Sequence, residues 1–248
     1  MKHSLIERSR ASLLHLSASF VMALLGLALV YRLWYPSPLH LAVGVNGVFL
    51  LMLAVDVVMG PLLTFVVYKK GKRTLLMDLS IIVALQLAAF AYGLWTIAEA
   101  RPAWLVFNAD RVDLVQAHEV DTRHRQEVKP EFRTAPWTGP EWVASVNPED
   151  IQKRNDLVLE SAMGGPDLPQ RIDLYVPLAS QRDALRSKAL PLEQLTKFNT
   201  AEQVTAELKI WPEADAWLPL MARVQPMVVL LRRESGEPVA VVNLHPWN

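Results

Sequence analysis

The chain has 248 residues, 52% of them hydrophobic, and a mean hydropathy of +0.19; it is too apolar for an ordinary soluble domain and too charged for a bundle buried wholly in lipid. Its 25 basic and 25 acidic residues are unevenly shared, 8 against 4 in residues 1–100 and 17 against 21 in the remainder. A basic apolar part is therefore joined to a mildly acidic polar one, and neither has the charge of a nucleic-acid binder. The chain has no cysteine, which excludes disulfides, thiolate metal sites and cysteine nucleophiles.

A short basic segment, residues 1–10, precedes an apolar run over residues 13–30. The run is longer than a signal-peptide core and ends in YRLWYPSP without a small-x-small cleavage site, so it reads as a retained transmembrane helix. Tyr31, Trp34 and Tyr35 form an aromatic belt at its far interface, and Pro36 and Pro38 end it because neither donates a backbone N–H.

A second apolar helix is predicted over residues 42–68, and about 20 such residues match the hydrocarbon thickness of a bilayer. It delivers a dense basic loop, Lys69, Lys70, Lys72 and Arg73. Together with the basic N terminus, these four charges place both segments on the cytoplasmic face under the positive-inside rule. A third helix, over residues 75–98, crosses outward, with Tyr92, Trp95 and Trp104 near the outer interface. The N terminus is then inside and everything after Arg101 outside, which in a double-membraned bacterium is the periplasm.

The second helix carries two features that a passive anchor does not need. Asp56 lies near mid-bilayer, where a charged side chain costs at least about 2.5–3.5 kcal/mol. It should face protein or be protonated, and its depth matches that of Gln86 in the third helix, so a hydrogen bond from the Gln86 amide to a neutral Asp56 is expected. Gly60-Pro61 follows within a turn or so, and Pro61 leaves the carbonyl of Val57 without its usual donor, which predicts a kink beside the carboxyl group. The competing explanation for the Asp56–Gln86 pair is helix packing alone, worth about 1 kcal/mol. His15 and Asp78 lie toward the cytoplasmic ends of their helices and carry no functional expectation.

From residue 101 the periodicity changes to that of a compact domain. The whole is read as an α+β protein: a three-helix transmembrane domain, residues 1–100, followed by a periplasmic α+β domain, residues 101–248. WLVFNADRVDLVQA at 104–117 reads as two strands around a turn at Asn108-Ala109-Asp110. Residues 121–141 are polar loop and residues 142–146 a strand. Asn147-Pro148-Glu149-Asp150 reads as the start of a helix running to Met163, with Asn147 as N-cap. A strand over 171–178, helices over 180–188 and from Thr200, and a terminal hairpin of 227–232 with 238–244 complete the domain.

Catalytic signals are weak. His118-Glu119 with His124 lacks the four-residue histidine spacing of a zinc-hydrolase helix. Ser161-Ala162-Met163-Gly164-Gly165 lacks the context of a nucleophile elbow and reads as a helix C-terminus. Asp110 and Asp113 read as turn and strand polar residues rather than metal ligands. No enzyme activity, metal or cofactor is expected.

Taken in order, the landmarks are Pro38-Leu39, Ala42-Val43-Gly44-Val45, Asp56, Gly60-Pro61-Leu62-Leu63-Thr64, Val66-Val67-Tyr68-Lys69, Asp78-Leu79, Leu85-Gln86-Leu87, Tyr92-Gly93, Arg101-Pro102, Val106-Phe107 and Asp110-Arg111. This series, over residues 36–116, resembles the type IV pilin accessory proteins of the TfpX/TfpZ kind. The resemblance implies an inner-membrane protein that works with the major type IV pilin subunit, and with other inner-membrane components of pilus assembly, to promote assembly into the pilus. It carries over no catalytic residue. In that family's setting the unassembled pilin is an apolar bilayer helix with a periplasmic head, so Asp56, Gly60, Pro61 and Gln86 become candidates to receive its membrane helix. Arg101, Pro102, Asp110 and Arg111 are the motif positions just beyond the membrane. Two other classes compete, a membrane-tethered periplasmic sensor and a pilin-modifying enzyme; the short cytoplasmic segments argue against the first, and the lack of a convergent polar constellation against the second.

Overall fold

The computed structural model describes residues 2–247. Three helices are long and apolar enough to cross a membrane, over Leu5–Trp34, Val45–Val67 and Leu75–Glu99. The chain divides into two compact units, one of Met1–Leu33 with Val45–Glu99, the other of Trp34–Gly44 with Ala100–Asn248.

In the first unit, helix α1 (Lys2–Ala28) continues into a π-helical segment, Leu29–Trp34, and so stops just before Pro36, as expected from the prolines. A four-residue helix α2 (Leu39–Ala42) follows, and then α3 (Val45–Val67) and α4 (Leu75–Glu99). Helix α3 is central and packs against both α1 and α4. Its buried residues Phe49, Leu53, Asp56, Gly60 and Thr64 recur every three or four positions, which places them on one helical face. Near the π-helical segment, the Tyr31 hydroxyl donates to Asn46 Oδ1 at 2.9 Å and the Tyr31 ring meets Phe49 edge-on. At the other end of the helices, Lys70 pairs with Glu7 at 2.7 Å and Lys72 with Asp78 at 2.6 Å.

The second unit is built on a mixed sheet of eight strands among the described residues. Its strands are β1 (Pro102–Asn108), β2 (Arg111–Gln116), β3 (Glu141–Ser145), β4 (Tyr175–Pro177), β5 (Leu190–Pro191), β6 (Ala216–Met221), β7 (Met227–Arg232) and β8 (Glu237–Val242), in the order β4-β3-β1-β2-β6-β7-β8 with β5 paired to β6. The β1–β2 and β7–β8 hairpins form as their turn residues predict. Strand β6 had no clear signal, because Pro219 interrupts a short run; it nonetheless joins the two halves through a brief parallel pairing with β2 and a long antiparallel one with β7.

Both faces of this sheet are covered, which is why β1 and β7 are buried along nearly their whole length instead of alternating. On one face Leu105, Phe107, Leu218, Leu220, Val229 and Leu231 form a core with Leu185 of helix α6 (Arg182–Lys188). On the other, Trp104, Phe132 and Tyr175 meet edge-to-face with centroids 5.6–6.1 Å apart. Further along that second face, Trp217, Val228 and Leu230 pack against Val204 of helix α7 (Ala201–Ile210), which Thr200 and Gln203 cap as a reciprocal box. Two local expectations need correction. Helix α5 (Ile151–Ala162) starts at Asp150, whose carboxylate accepts from the Gln152 and Lys153 N–H groups, not at Asn147. Residues 172–174 form a 3-10 turn, so β4 is only three residues long.

The segment between the first two long helices is part of this core. Leu39 and Ala42 are buried with the Leu105–Leu231 layer. The Ala42 carbonyl accepts from both Val224 N and Gln225 N, at 3.0 and 3.1 Å. Gly44 turns the chain out again with φ +72°, and a Cβ there would sit 3.0 Å from Val224. The segment thus straps the second unit like an element of its own.

An ion network ties the polar 117–140 region down. Arg123 bridges Asp121 and Glu160, and Arg171 forms two hydrogen bonds to Asp173. The hydrogen bond from Arg123 holds Asp121 below its ordinary value of 3.8. A carboxyl group depressed in this way stabilises the fold above the unfolded-state value and loses that contribution as pH falls through the lowered one.

Leu39→Ala is expected to destabilise the second unit by about 2–5 kcal/mol, read as earlier thermal unfolding and faster proteolysis in detergent. Leu51→Ala, at an exposed position of α3, should change neither. Asp121→Asn should lower stability at neutral pH and flatten the acid dependence below pH 3.8, measured by unfolding across a pH series.

Candidate functional site

The sequence expectations converge on the first unit, where a polar cluster forms around Gln86. Its amide is bonded at both ends: Oε1 accepts from His15 Nε2 at 2.8 Å, and Nε2 donates to Ser19 Oγ at 3.0 Å and to the Asp56 main-chain carbonyl at 2.9 Å. Because Gln86 Oε1 can only accept, the His15 hydrogen sits on Nε2; in the neutral ring Nδ1 then accepts from the Thr64 hydroxyl, 2.6 Å away. Ser12 adds a hydrogen bond to the Pro61 carbonyl at 2.9 Å. One residue from α4 thereby links α1 to α3 through side chains that have no water to fall back on.

Gly60 makes this approach possible. A Cβ at that position would lie 2.1 Å from Gln86 Oε1 and 2.8 Å from His15 Nε2, so only a residue without a side chain lets the glutamine and histidine meet over α3. Pro61 stays within the helix and, lacking an N–H, leaves the Val57 carbonyl without its intrahelical donor. The structure therefore brings Asp56, Gly60, Pro61 and Gln86 together as expected from their depth. It differs in one bond: Gln86 engages the backbone of Asp56, not its carboxyl group. The carboxyl is only 8% exposed, and its buried Oδ2 has no hydrogen-bond partner among the described residues.

Beside this cluster, α1 and α4 flank a groove of about 660 Å³. Ala11, Leu14, Ala18 and Met22 form one wall, Leu79, Val83 and Leu87 the other, and Thr64 of α3 and Tyr68 just past its end lie between them. His15, Ser19 and Gln86 supply polar atoms within the groove, and Glu7 and Arg10 stand at one end. Its lining is mainly apolar, with Ala11, Ala18 and Ser19 as the small residues on α1, so it suits an apolar helix bearing a few polar groups better than a compact polar metabolite. Sequence reasoning missed His15, Ser19 and Thr64. The spacing of His15 and Ser19, four residues apart on one helical face, was the available signal.

The remaining motif positions have structural roles. Lys69, Lys70, Lys72 and Arg73 all lie in the turn between α3 and α4. Arg101 is buried in the second unit, donating through Nε to the Pro136 carbonyl at 2.8 Å and lying 4.0 Å over the Trp137 ring. Pro102 opens β1, Asp110 is exposed in the β1–β2 turn, and Arg111 Nε donates to Asp113 Oδ1 at 3.1 Å. His124, Glu127 and Asp173 bring potential ligand atoms within 4.8 Å of one another, but the Asp173 carboxylate is already gripped by Arg171, so the trio reads as part of the ion network. His118 and His124 do not form a shared ligand pair with Glu119, whose carboxylate instead accepts from Gln116 N.

Gly60→Ala is expected to break the Gln86–His15 contact and to destabilise the helix packing by about 1–3 kcal/mol. Gly47→Ala, where a Cβ meets nothing within 4 Å, should be neutral. Thermal unfolding in detergent, with a cysteine pair reporting α1–α4 proximity, distinguishes the two.

Comparison with known proteins gives a consistent pattern. Residues 3–44 match a family described as fimbrial assembly protein FimB. Over 249 aligned residues the sequence is 31% identical to the fimbrial assembly protein of serogroup E1 of Dichelobacter nodosus, covering 97% of this chain and 96% of the relative. The serogroup I protein of the same organism is 32% identical over the same shares. The protein of serogroups C1 and C2 is 33% identical over 121 residues, 48% of this chain and 92% of the relative. No solved structure matches.

Proposed function

We propose a role for this chain from the family to which it belongs, that of the fimbrial assembly proteins: it is a non-enzymatic, chaperone-like accessory of the bacterial inner membrane that binds the major type IV pilin and promotes its assembly into the pilus. The observation that carries this reading is the groove between α1 and α4. It is mainly apolar, with Ala11 and Ala18 among larger aliphatic side chains and hydrogen-bonding groups at His15, Ser19 and Gln86, as suits the transmembrane helix of a client protein. Asp56 Oδ2, buried on α3 behind the groove lining and without a hydrogen-bond partner among the described residues, is the group that a polar N-terminal end of such a helix would pair with.

The basic turn of Lys69, Lys70, Lys72 and Arg73 supports a cytoplasmic position for that turn and the N terminus, and with it the reading of the second unit as periplasmic. A protein with one unit in the bilayer and one outside it matches a client of the same layout. Other inner-membrane components of pilus assembly are further expected partners.

Filling the groove tests the reading. Ala18→Trp places a large ring on an exposed groove position and should cut surface piliation at least about tenfold, a loss of about 1.4 kcal/mol or more in client binding, with the protein still present in the membrane. Leu24→Trp, on a part of α1 that does not line the groove, should leave piliation intact. Full piliation in both the Ala18→Trp and Asp56→Ala strains would remove the groove from the mechanism.

A further inference from the structure

A chain that leaves a bilayer repeatedly on one side fixes which residues of the following domain stay near the lipid. The first and third long helices end at Trp34 and Glu99, and the second begins at Val45. On the reading of these helices as membrane spans, the junctions at residues 33–34, 44–45 and 99–100 therefore lie at one interface. Any side chain of the second unit that touches Trp34, Gly44 or Arg101 is held within a side-chain length of that level.

Two exposed apolar side chains do so from distant parts of the sequence. Trp137 is 54% exposed; its ring lies 6.3 Å from that of Trp34, and the Arg101 guanidinium lies 4.0 Å over it. Val224 is 62% exposed; its N–H donates to the Ala42 carbonyl at 3.0 Å, and its side chain stands beside Gly44. Tyr35 and Trp104, read from the sequence as interfacial aromatics, are instead buried, at 0% and 1% exposure. Trp137 takes the place assigned to them.

The charges of this rim fit the same surface. It is assembled from residues 34–44, 100–104, 133–140 and 222–226, which hold no aspartate or glutamate, although residues 101–248 carry 21 acids. Their guanidinium groups are those of Arg101, Arg133 and Arg223. Arg101 is engaged inside the unit by the Pro136 carbonyl and the Trp137 ring. Arg133 is exposed and gives only its Nε hydrogen to the Val128 carbonyl, and Arg223 keeps 66% of its side chain exposed, with one nitrogen 4.0 Å from Glu119. Tryptophan is most stable at headgroup depth, and arginine pairs with phosphate oxygens there. Carboxylates at that level would be repelled by anionic headgroups.

We infer that the rim of Trp137 and Val224 is a lipid-binding surface of the second unit, with the indole and the valine in the phospholipid headgroup layer and Arg133 and Arg223 directed at phosphate. The inference rests on the three helices being membrane spans. Phospholipid is the occupant because the three junctions hold the rim against it; a protein partner would first have to displace it.

The chain has no cysteine, so single labels report directly. Thr138→Cys, exposed beside Trp137, and Val224→Cys probe the rim, with Val158→Cys on α5 and Leu51→Cys on α3, 64% and 67% exposed, as references. Each full-length variant carries a nitroxide in vesicles of phosphatidylethanolamine and phosphatidylglycerol, and its collisions with oxygen and with a neutral nickel chelate report depth. The oxygen-to-nickel collision ratio at 138 and 224 is expected to be at least about threefold above that at 158 and below that at 51, as at the headgroup boundary. A ratio at either rim position no higher than at 158 overturns the inference while a lipid value at 51 keeps the spanning reading. Low collision with both reagents at the rim, the mark of a site covered by protein, overturns it as well. An aqueous ratio at 51 removes the spanning reading and this inference with it.

Discussion

A polar side chain in hydrocarbon has to find its partners inside the protein, and the membrane unit is arranged around the residue that finds the most. Gln86 reaches His15, Ser19 and the Asp56 carbonyl, and so fixes how α4 and α1 approach the central helix. The contact depends on Gly60, since any Cβ there would displace the amide. Hydrogen bonds of this kind are individually modest in membranes, but they are directional, and they specify a register that leucine and valine contacts alone do not. The same geometry leaves Asp56 Oδ2 buried and without a hydrogen-bond partner among the described residues. A group kept in that condition has a cost with no structural return, which is the reason to look for its partner in another molecule.

The second unit has an analogous dependence on a piece of chain that looks incidental. Residues 34–44 lie between two membrane crossings in the sequence, yet Leu39 and Ala42 complete one face of the sheet and the Ala42 carbonyl binds the chain at Val224 and Gln225. The backbone consequently passes between the two units three times, at residues 33–34, 44–45 and 99–100. The family match over residues 3–44 spans both the α1 wall of the groove and this strap, so what that family's description captures here is the part of the chain that belongs to both units.

The sequence by itself determined the membrane-spanning helices, the compact α+β unit after residue 101, the two hairpins, the α7 cap at Thr200, and the company of Asp56, Gly60, Pro61 and Gln86. Each of these follows from apolar length, residue periodicity or backbone chemistry, which act over a few residues and can be read locally. Tertiary structure decided the rest. It sent the Gln86 amide to the Asp56 backbone rather than its carboxyl, because a second acceptor on Ser19 and the geometry over Gly60 consumed the donors. It recruited His15, Ser19 and Thr64, whose residue types are common in bland settings and gain meaning only from neighbours more than forty positions away. It inserted Pro219 into a strand, because pairing with β7 outweighs the poor local propensity, and it folded the 34–44 segment into a core that the sequence places some sixty residues downstream.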